Sequence, residues 1–261
     1  MKNTTVICFT NNKGGSGKST TCANVGYALA LSGKKVLLID VDMQLNLSLS
    51  FFDEEEVLEM ARGPKNLFRV MQGTADLKEC IRDTRYENLR LIPSSTLMSG
   101  IELQLLPKIS REFLLRRALL PIKASGEYDY ILVDAPPTLG TWVTNILVAS
   151  DKVIIPVEAS PWGLFGLANM FEFIGEIRGL APELEVLGIT VTKVSERKNY
   201  FKQTMETLSE MDTYIFKNYV RVDVNVEKAQ DESRPVIDFS PRSRSAQEFT
   251  ELAKEIDEKC R

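Results

Sequence analysis

Residues 11–20 constrain this chain more than any other segment: they read Asn-Asn-Lys-Gly-Gly-Ser-Gly-Lys-Ser-Thr. An apolar run that is typical of a buried strand precedes them at residues 5–10, and a helical pattern follows from residue 19. A glycine-rich turn between a strand and a helix that ends in Gly-Lys-Ser is the pattern of a phosphate-binding loop. The chain is therefore expected to contain a strand–loop–helix unit with an anion site at the start of the helix.

The residue types in this loop suit phosphate binding. Glycines leave the backbone free to curl, so that its N–H groups point at phosphate oxygens. Lys18 can reach the β- and γ-phosphates, and the Ser19 hydroxyl can ligate Mg²⁺. Lys13 is an additional cation, which can be presented to the nucleotide of a neighbouring molecule. The predicted phosphate-binding residues are Lys13, Gly14, Gly15, Ser16, Gly17, Lys18, Ser19 and Thr20.

Short apolar runs alternate with helical patterns along most of the chain. Unbroken apolar runs, which indicate strands covered on both faces, lie at residues 6–10, 36–40, 89–93, 130–134, 152–156 and 186–191. Helical patterns lie at residues 19–31, 111–122, 141–149, 164–177 and 200–211. This alternation predicts an α/β fold with a doubly wound, mainly parallel sheet flanked by helices. We find no linker and expect a single domain over residues 1–261.

Three acids end predicted strands, at the edge where such sheets bind ligands. Asp40 and Asp42 follow the second strand, and Asp134 ends the fourth. Buried acids are costly unless they meet a cation or hydrogen-bond donors. We expect Asp42 to orient a water for attack on the γ-phosphate, Asp40 to support Mg²⁺ or the loop, and Asp134 to hold Mg²⁺ as in a Walker B strand. The alternative for the first two acids is that they cap the next helix.

Composition excludes several classes of site. The 261 residues include no histidine, which excludes histidine-based acid–base catalysis and histidine-ligated zinc. The four cysteines form no C-x-x-C pair, so a zinc knuckle or a redox dithiol is not expected. The net charge of −4 argues against a protein coated in positive charge, although it allows a local basic face. We find no signal peptide and no run of about 18 apolar residues, and expect a cytoplasmic protein.

Taken together, these motifs resemble those of the ParA/MinD superfamily, and the chain looks like a ParA-type partition ATPase. The loop resembles the "deviant" form K-G-G-x-G-K-[ST], with Asn12 where the strict pattern has its first glycine. Residues 40–46 resemble D-x-D-P-Q-x-N, with Met43 in place of the usual proline. Residues 134–137 resemble the D-x-P-P switch segment, and residues 234–246 resemble the closing motif of the family, with Ser245 at a usual glycine.

The resemblance implies an ATPase with ATP and Mg²⁺ as its cofactors. It implies that ATP closes two copies into a homodimer, which binds double-stranded DNA without sequence preference at the nucleoid, and that a ParB-like protein stimulates hydrolysis. Plasmid or chromosome partition is then the expected function. Lys13 would cross the dimer to stabilise charge on the γ-phosphate; the alternative is that it contacts only its own loop. The resemblance also places Lys193 and Pro235 near the adenine.

Candidate DNA-binding residues come from the C-terminal third of the chain. Residues 193–244 hold ten Lys/Arg and nine Asp/Glu, so this segment is only slightly positive. Nonspecific binding needs a modest set of phosphate contacts, and a solvated mixed-charge surface is the alternative. The candidates are Arg197, Lys198, Lys202, Lys217, Arg221, Arg242 and Arg244, and the preferred ones are Lys217, Arg221, Arg242 and Arg244.

Other functions compete with partition. A ParA-like ATPase that positions a protein cargo would have the same motifs. MinD-like membrane positioning requires a basic amphipathic C-terminal helix, whereas residues 249–261 combine an apolar face with a largely acidic one. We therefore expect this helix to dock on the sheet and expect no membrane partner. Relatives that insert metals or carry clusters depend on interface cysteines, and none of the four cysteines lies in such a motif.

Overall fold

A computed structural model describes residues 4–160, 162–196 and 199–261. Within these residues, one seven-stranded sheet has the order β3-β4-β2-β5-β1-β6-β7. The strands are β1 Thr5–Phe9, β2 Val36–Asp40, β3 Arg82–Asp83, β4 Leu89–Ile92, β5 Tyr130–Asp134, β6 Lys152–Glu158 and β7 Glu185–Thr192. All neighbouring pairs are parallel except β3 with β4. The predicted doubly wound, mainly parallel sheet is confirmed.

Helices cover both faces of the sheet. They are α1 Lys18–Leu31, α2 Glu54–Arg62, α3 Leu67–Gln72, α4 Ile101–Leu105, α5 Leu114–Ser125, α6 Thr141–Ala149, α7 Leu167–Ile177, α8 Asn199–Ser209, α9 Val224–Asp231, α10 Val236–Phe239 and α11 Arg244–Cys260. The predicted bounds of α6 are correct. The helix predicted from residue 164 begins later because Gly166, at φ 83°, precedes its first turn. Sequence reasoning missed β3, α4, α9 and α10, which are short.

Alternating side chains of the strands divide the core into two layers. Val6 and Cys8 of β1 point to the layer that includes α5, α6 and α7, whereas Ile7 and Phe9 point to the layer that includes α1 and α11. The apolar face of α11 is buried in this second layer, as predicted, through Phe249, Leu252, Ala253 and Ile256. Among the described residues, no helix is both long and apolar enough to cross a membrane.

Candidate nucleotide-binding site

The sheet brings the predicted loop and acids to one edge. β5 lies between β1 and β2, and Asp134 is the register partner of both Phe9 and Asp40. Residues that follow the carboxyl ends of these parallel strands therefore converge. A cavity of about 690 Å³ opens at this edge, and its lining includes residues of the loop together with Asp42.

The loop presents the open start of α1 to this cavity. Gly15 and Gly17 have φ values of 75° and 85°, a left-handed conformation that glycine adopts without steric cost. Gly17 is the N-cap residue, no side chain caps the helix, and no acid lies in its first turn. The first-turn N–H groups and the positive end of the helix dipole therefore face the cavity, which suits an anion.

Lys18 lies buried beneath the loop. Its ammonium donates a hydrogen bond to the carbonyl oxygen of Lys13 at 3.2 Å. Burial lowers the pKa of Lys18, while the nearby charges of Asp134 and Asp42 oppose that shift. The lysine is thus placed between the loop and the acids, where its charge can meet both a phosphate and these carboxylates.

Asp134 is the acid whose surroundings are least satisfied. It is 0% exposed, and neither carboxylate oxygen has a hydrogen-bond partner among the described residues. Burial, followed by the charge of Asp40, raises its pKa well above the usual value, although Ser19 and Lys18 lie close enough to oppose this. A buried carboxylate without donors is costly in itself, so this position suits a cation.

Asp40 is held by the loop that follows β2. Its Oδ2 accepts hydrogen bonds from the backbone N–H and the hydroxyl of Ser48, at 2.9 and 2.6 Å, whereas its Oδ1 has no partner. Burial raises its pKa to about 7, the bonds from Ser48 oppose this, and the charge of Asp42 adds to it. Asp40 thus orders a loop with one oxygen and leaves the other for a ligand.

Asp42 lies in the turn after β2 and lines the cavity. It is 6% exposed, and its Oδ1 accepts a hydrogen bond from the backbone N–H of Gln44 at 3.0 Å. The next helical turn spans Ser48–Ser50 and has Leu47 as its N-cap residue. Asp42 therefore closes a local turn and does not cap the following helical turn, whereas Asp40 accepts from the N–H of Ser48 at the start of that turn, so the capping alternative raised by the sequence applies to Asp40 and not to Asp42.

Lys13 is engaged by the end of β6 in its own chain. Its ammonium lies 2.9 Å from Oε2 of Glu158 and 3.1 Å from Oγ of Ser160. All three residues are only partly exposed. The contact is intramolecular but lies outside the loop, so Lys13 here does not match the alternative in which it touches only its own loop.

The end of β7 supports the loop from the other side. Thr192 Oγ1 donates a hydrogen bond to the carbonyl oxygen of Ser16 at 2.9 Å. A Cβ built on Gly17 would lie 3.3 Å from Thr192 Oγ1. The ammonium of Lys193 would lie 4.0 Å from a Cβ on Gly15. Lys193, which was expected near the adenine, is therefore found beside the loop.

The far wall of the cavity comes from residues that the sequence did not single out as nucleotide contacts. They precede or belong to α9, and Gln230 Nε2 donates a hydrogen bond to Thr20 Oγ1 at 2.9 Å, which connects this wall to α1. Pro235 is not among the lining residues; it precedes α10, where the N–H of Val236 donates to Asn24 Oδ1. The wall residues are Val220, Arg221, Val222, Asp223, Val226, Glu227 and Gln230.

Comparisons with known proteins agree with this geometry. The family model described as AAA domain matches residues 4–186. The sporulation initiation inhibitor protein Soj of Bacillus subtilis is 36% identical over 253 residues, which cover 96% of this chain and 97% of Soj. The chromosome partitioning protein ParA of Caulobacter vibrioides is 32% identical over 255 residues, which cover 96% of this chain and 93% of that ParA. The chain belongs to the ParA/MinD superfamily of P-loop ATPases.

A solved structure extends the likeness of this ParA/MinD-type chain to three dimensions. A putative plasmid partition protein of Borrelia burgdorferi, bound to AMPPNP, matches it with a TM-score of 0.81 at 26% identity. The match covers 99% of this chain and 100% of the Borrelia protein. The fold described above is therefore shared along nearly its whole length with a putative partition protein that has a nucleotide analogue bound.

The segment after β5, which resembles a switch segment in sequence, borders the cavity. Pro137 lies three residues after Asp134 in the sequence and lines the cavity. Asn145, further along in α6, is 0% exposed, and its Oδ1 accepts hydrogen bonds from the N–H groups of Leu114 and Leu115. Asn145 thus connects α6 to the start of α5, which is a structural role.

Two preferred DNA-binding candidates are already paired with acids. Arg221 forms ion pairs with Glu196 at 3.2 Å and with Glu248 at 2.5 Å, and it also lines the cavity. Arg244 lies 3.7 Å from the same Glu248. Because two carboxylates neutralise these guanidinium groups, the predicted basic face is weaker here than the positions of the arginines suggested.

The remaining basic candidates differ in what they contact. Lys217 and Arg242 are exposed, and no ion pair joins either of them to another residue in the described ranges. Lys202 is exposed and lies 3.7 Å from Glu206, one turn further along α8. Arg197 and Lys198 lie outside the described residues. Lys217 and Arg242 are therefore the candidates with free charge for a phosphate.

Proposed function

We propose that this chain is a single-domain, Mg²⁺-dependent ATPase over residues 1–261, and that ATP occupies the cavity at the carboxyl edge of the sheet. The observation that carries this proposal is Asp134, a fully buried carboxylate with two unpartnered oxygens next to an uncapped helix start. Such an arrangement is unfavourable without a ligand. A magnesium nucleotide supplies both the cation for the acid and the anion for the helix.

In this proposal the phosphates lie against the loop and the first turn of α1. Gly14 to Thr20 supply backbone N–H groups, and Lys18 supplies charge from below. The base lies toward the wall formed by residues 220–223 and α9, since this is the other side of the same cavity. We propose this wall, in place of Pro235, as the adenine side.

The donor set fits a magnesium ion. Asp134 offers two free oxygens and Asp40 offers one, and the Ser19 hydroxyl lies close to Asp134. Hard oxygen ligands of this kind are those that Mg²⁺ prefers. When bound, the ion neutralises charge on the β- and γ-phosphates and thereby favours transfer of the phosphoryl group.

Asp42 is proposed to position the attacking water. It lines the cavity, is nearly buried, and has one oxygen fixed by the N–H of Gln44, which sets the orientation of the carboxylate. Its second oxygen can then accept a hydrogen bond from water. A water oriented in line with the γ-phosphate is what hydrolysis requires of the protein.

Lys13 is proposed to act across a homodimer formed on ATP binding. Its ammonium is held by Glu158 and Ser160, which line the cavity. In the dimer it would exchange these partners for the phosphates bound by the other copy, where a fixed cation stabilises charge in phosphoryl transfer. Nucleotide state then controls assembly.

The cellular role proposed for this cycle is partition of a plasmid or chromosome. The names of two relatives support it: the Caulobacter ParA is a chromosome partitioning protein, and the Borrelia structure is that of a putative plasmid partition protein. We propose that the ATP-bound dimer binds double-stranded DNA nonspecifically on the cytoplasmic nucleoid, that Lys217 and Arg242 contribute phosphate contacts, and that a ParB-like protein stimulates hydrolysis.

Phosphate release by wild-type protein and an Asp42→Asn variant tests the enzymatic proposal. Loss of a residue that orients the reacting water should lower the rate by at least about 100-fold, while ATP binding persists because the Gln44 turn is retained. Asp76→Asn is a matched control, since Asp76 closes the same kind of turn with Lys78 outside the cavity. Equal turnover in all three proteins would remove Asp42 from the mechanism.

Sedimentation of Lys13→Gln with ATP tests the crossing lysine. The wild type should dimerise with ATP and the variant should stay monomeric, because it lacks the ammonium that reaches the other nucleotide. Lys78→Gln serves as the control, since Lys78 is exposed and remote from the cavity. An unchanged dimer in Lys13→Gln would restrict Lys13 to its contact with Glu158.

DNA binding is tested by titrating a duplex of arbitrary sequence at several salt concentrations. With ATP, Arg242→Ala should reduce the salt slope by about one, as expected for one lost phosphate contact. Arg221→Ala should have a smaller effect because Glu196 and Glu248 already neutralise it. If the ATP-bound wild type binds no DNA at low salt, a protein cargo becomes the better proposal.

A further inference from the structure

Three lysines surround the phosphate-binding loop, and they differ in how their charge is engaged. Lys13 is held by Glu158 and Ser160, and Lys18 is buried with its ammonium on a loop carbonyl. Lys193 is exposed within the cavity, and none of the described residues forms a hydrogen bond or an ion pair with its ammonium. It is therefore the cation of this group whose charge is free for a ligand.

The backbone of Lys193 is fixed in an unusual conformation. Its φ of 52° is left-handed, which costs free energy for a residue with a side chain. Hydrogen bonds hold both neighbours: the Thr192 carbonyl accepts from Ala159, and the N–H of Val194 donates to Val220. The turn is thus imposed by the sheet on one side and by the cavity wall on the other. A strained residue held in this way beside a cavity points to a role in ligand binding.

This turn places the Lys193 ammonium at the phosphate end of the cavity. A Cβ on Gly15 would lie 4.0 Å from Lys193 Nζ, and the preceding Thr192 is bonded to the carbonyl of Ser16. Both of these contacts are with the loop, whereas the hydrogen bond to Val220 of the wall is made by the backbone of Val194 and not by the lysine side chain. The wall on which we place the base is formed by other residues, chiefly 220–223 and those of α9.

We propose that Lys193 is a phosphate-binding residue, which pairs with the phosphate chain of the nucleotide held by its own loop and makes no specific contact with the base. This inference rests on the proposed nucleotide site. Lys18 adds positive charge to the phosphate site from the buried side of the loop, and Lys193 adds it from the solvent side. Lys13 is the lysine that we propose binds the nucleotide of the other copy. A charged hydrogen bond that forms only when phosphate arrives distinguishes nucleotides from nucleosides.

Calorimetric titration of Lys193→Gln with Mg-ATP, Mg-ADP and adenosine tests this role. The variant should bind ATP about tenfold more weakly than the wild type, the usual size of one charged hydrogen bond, and should bind adenosine with unchanged affinity. Lys193→Arg should recover most of the ATP affinity because it keeps the charge. Lys78→Gln, an exposed lysine away from the cavity, should match the wild type.

The outcomes separate this inference from the proposal on which it rests. If the wild type binds no ATP, the nucleotide site itself is wrong. If the wild type binds ATP and Lys193→Gln binds it equally well, only the role of Lys193 is overturned. If Lys193→Gln weakens the binding of adenosine as much as the binding of ATP, the lysine contacts the base, as the sequence first suggested. The phosphate role is then overturned.

Discussion

Two groups of buried carboxylates in this chain have opposite surroundings. At the carboxyl edge of the sheet, no described residue bonds to either oxygen of Asp134 or to one oxygen of Asp40, and burial raises the pKa of both. On α11, Asp257 accepts hydrogen bonds from Tyr130 and Arg261 and pairs with Lys34 at 2.8 Å. Burial raises its pKa less than these donors lower it, so that the pKa falls to about 2.

The difference shows which buried charges complete the fold and which await a ligand. Asp257 is paired by the protein itself and joins α11 to β5 and to the residues that follow α1. Asp134 is more deeply buried, at 0% exposed against 7% for Asp257, and neither of its oxygens meets a partner among the described residues, so its burial weakens the ligand-free fold. Free energy lost in this way is recovered when a cation binds, which couples stability to occupancy.

The largest effect expected from this comparison is on catalysis. Asp134→Asn should lower Mg²⁺-dependent ATP hydrolysis by at least about 100-fold, since a metal ion contributes several kcal/mol to the transition state. The thermal stability of the ligand-free variant should not fall, because burial and the charge of Asp40, which raise the pKa of Asp134, outweigh the opposing effects of Ser19 and Lys18. Asp257→Asn is the opposite control and should keep its turnover. Full activity of Asp134→Asn would contradict the comparison.

The next effect is a pH dependence carried by Asp40. Its pKa is raised from 3.8 to about 7, so its contribution to stability is present below pH 4 and is lost as the pH rises through 7. The free energy of unfolding that is lost over this pH range is on the order of a few kcal/mol. Asp40→Asn should therefore flatten the decline in ligand-free stability between about pH 4 and pH 7, as measured by urea unfolding. A slope identical to that of the wild type would show that Asp40 is not the responsible group.

The smallest effect concerns the satisfied acid. The pKa of Asp257 is lowered, so its contribution is present above pH 4 and is lost as the pH falls through about 2. Asp257→Asn should reduce the free energy of unfolding by about 2 kcal/mol at pH 7 and by less at pH 3. Glu185→Gln, which breaks an exposed ion pair with Lys152, should cost less than about 1 kcal/mol. Equal losses in the two variants would remove the distinction between buried and exposed pairs.

The sequence predicted the parts of the fold that are encoded in local patterns. The bounds of β2, β5 and α6 were correct, because uninterrupted apolar runs and helical periodicity are local signals. Strand β3 has two residues and α10 has four, too few for a periodic pattern. The start of α7 was misplaced because the left-handed conformation of Gly166 cannot be read from its identity alone.

For the site, too, local sequence patterns predicted some features and missed those that depend on tertiary contacts. The spacing of glycines and lysines determined the phosphate-binding loop, since the loop, its strand and its helix are adjacent in the chain. Strand endings alone were enough to predict that Asp40, Asp42 and Asp134 lie at one edge, because parallel strands have their carboxyl ends together. Only the tertiary structure decided that Asp134 has no partner, that Arg221 is neutralised, and that Lys193 lies beside the loop. Those outcomes depend on contacts between residues far apart in the chain, whose distances and charges no local pattern contains.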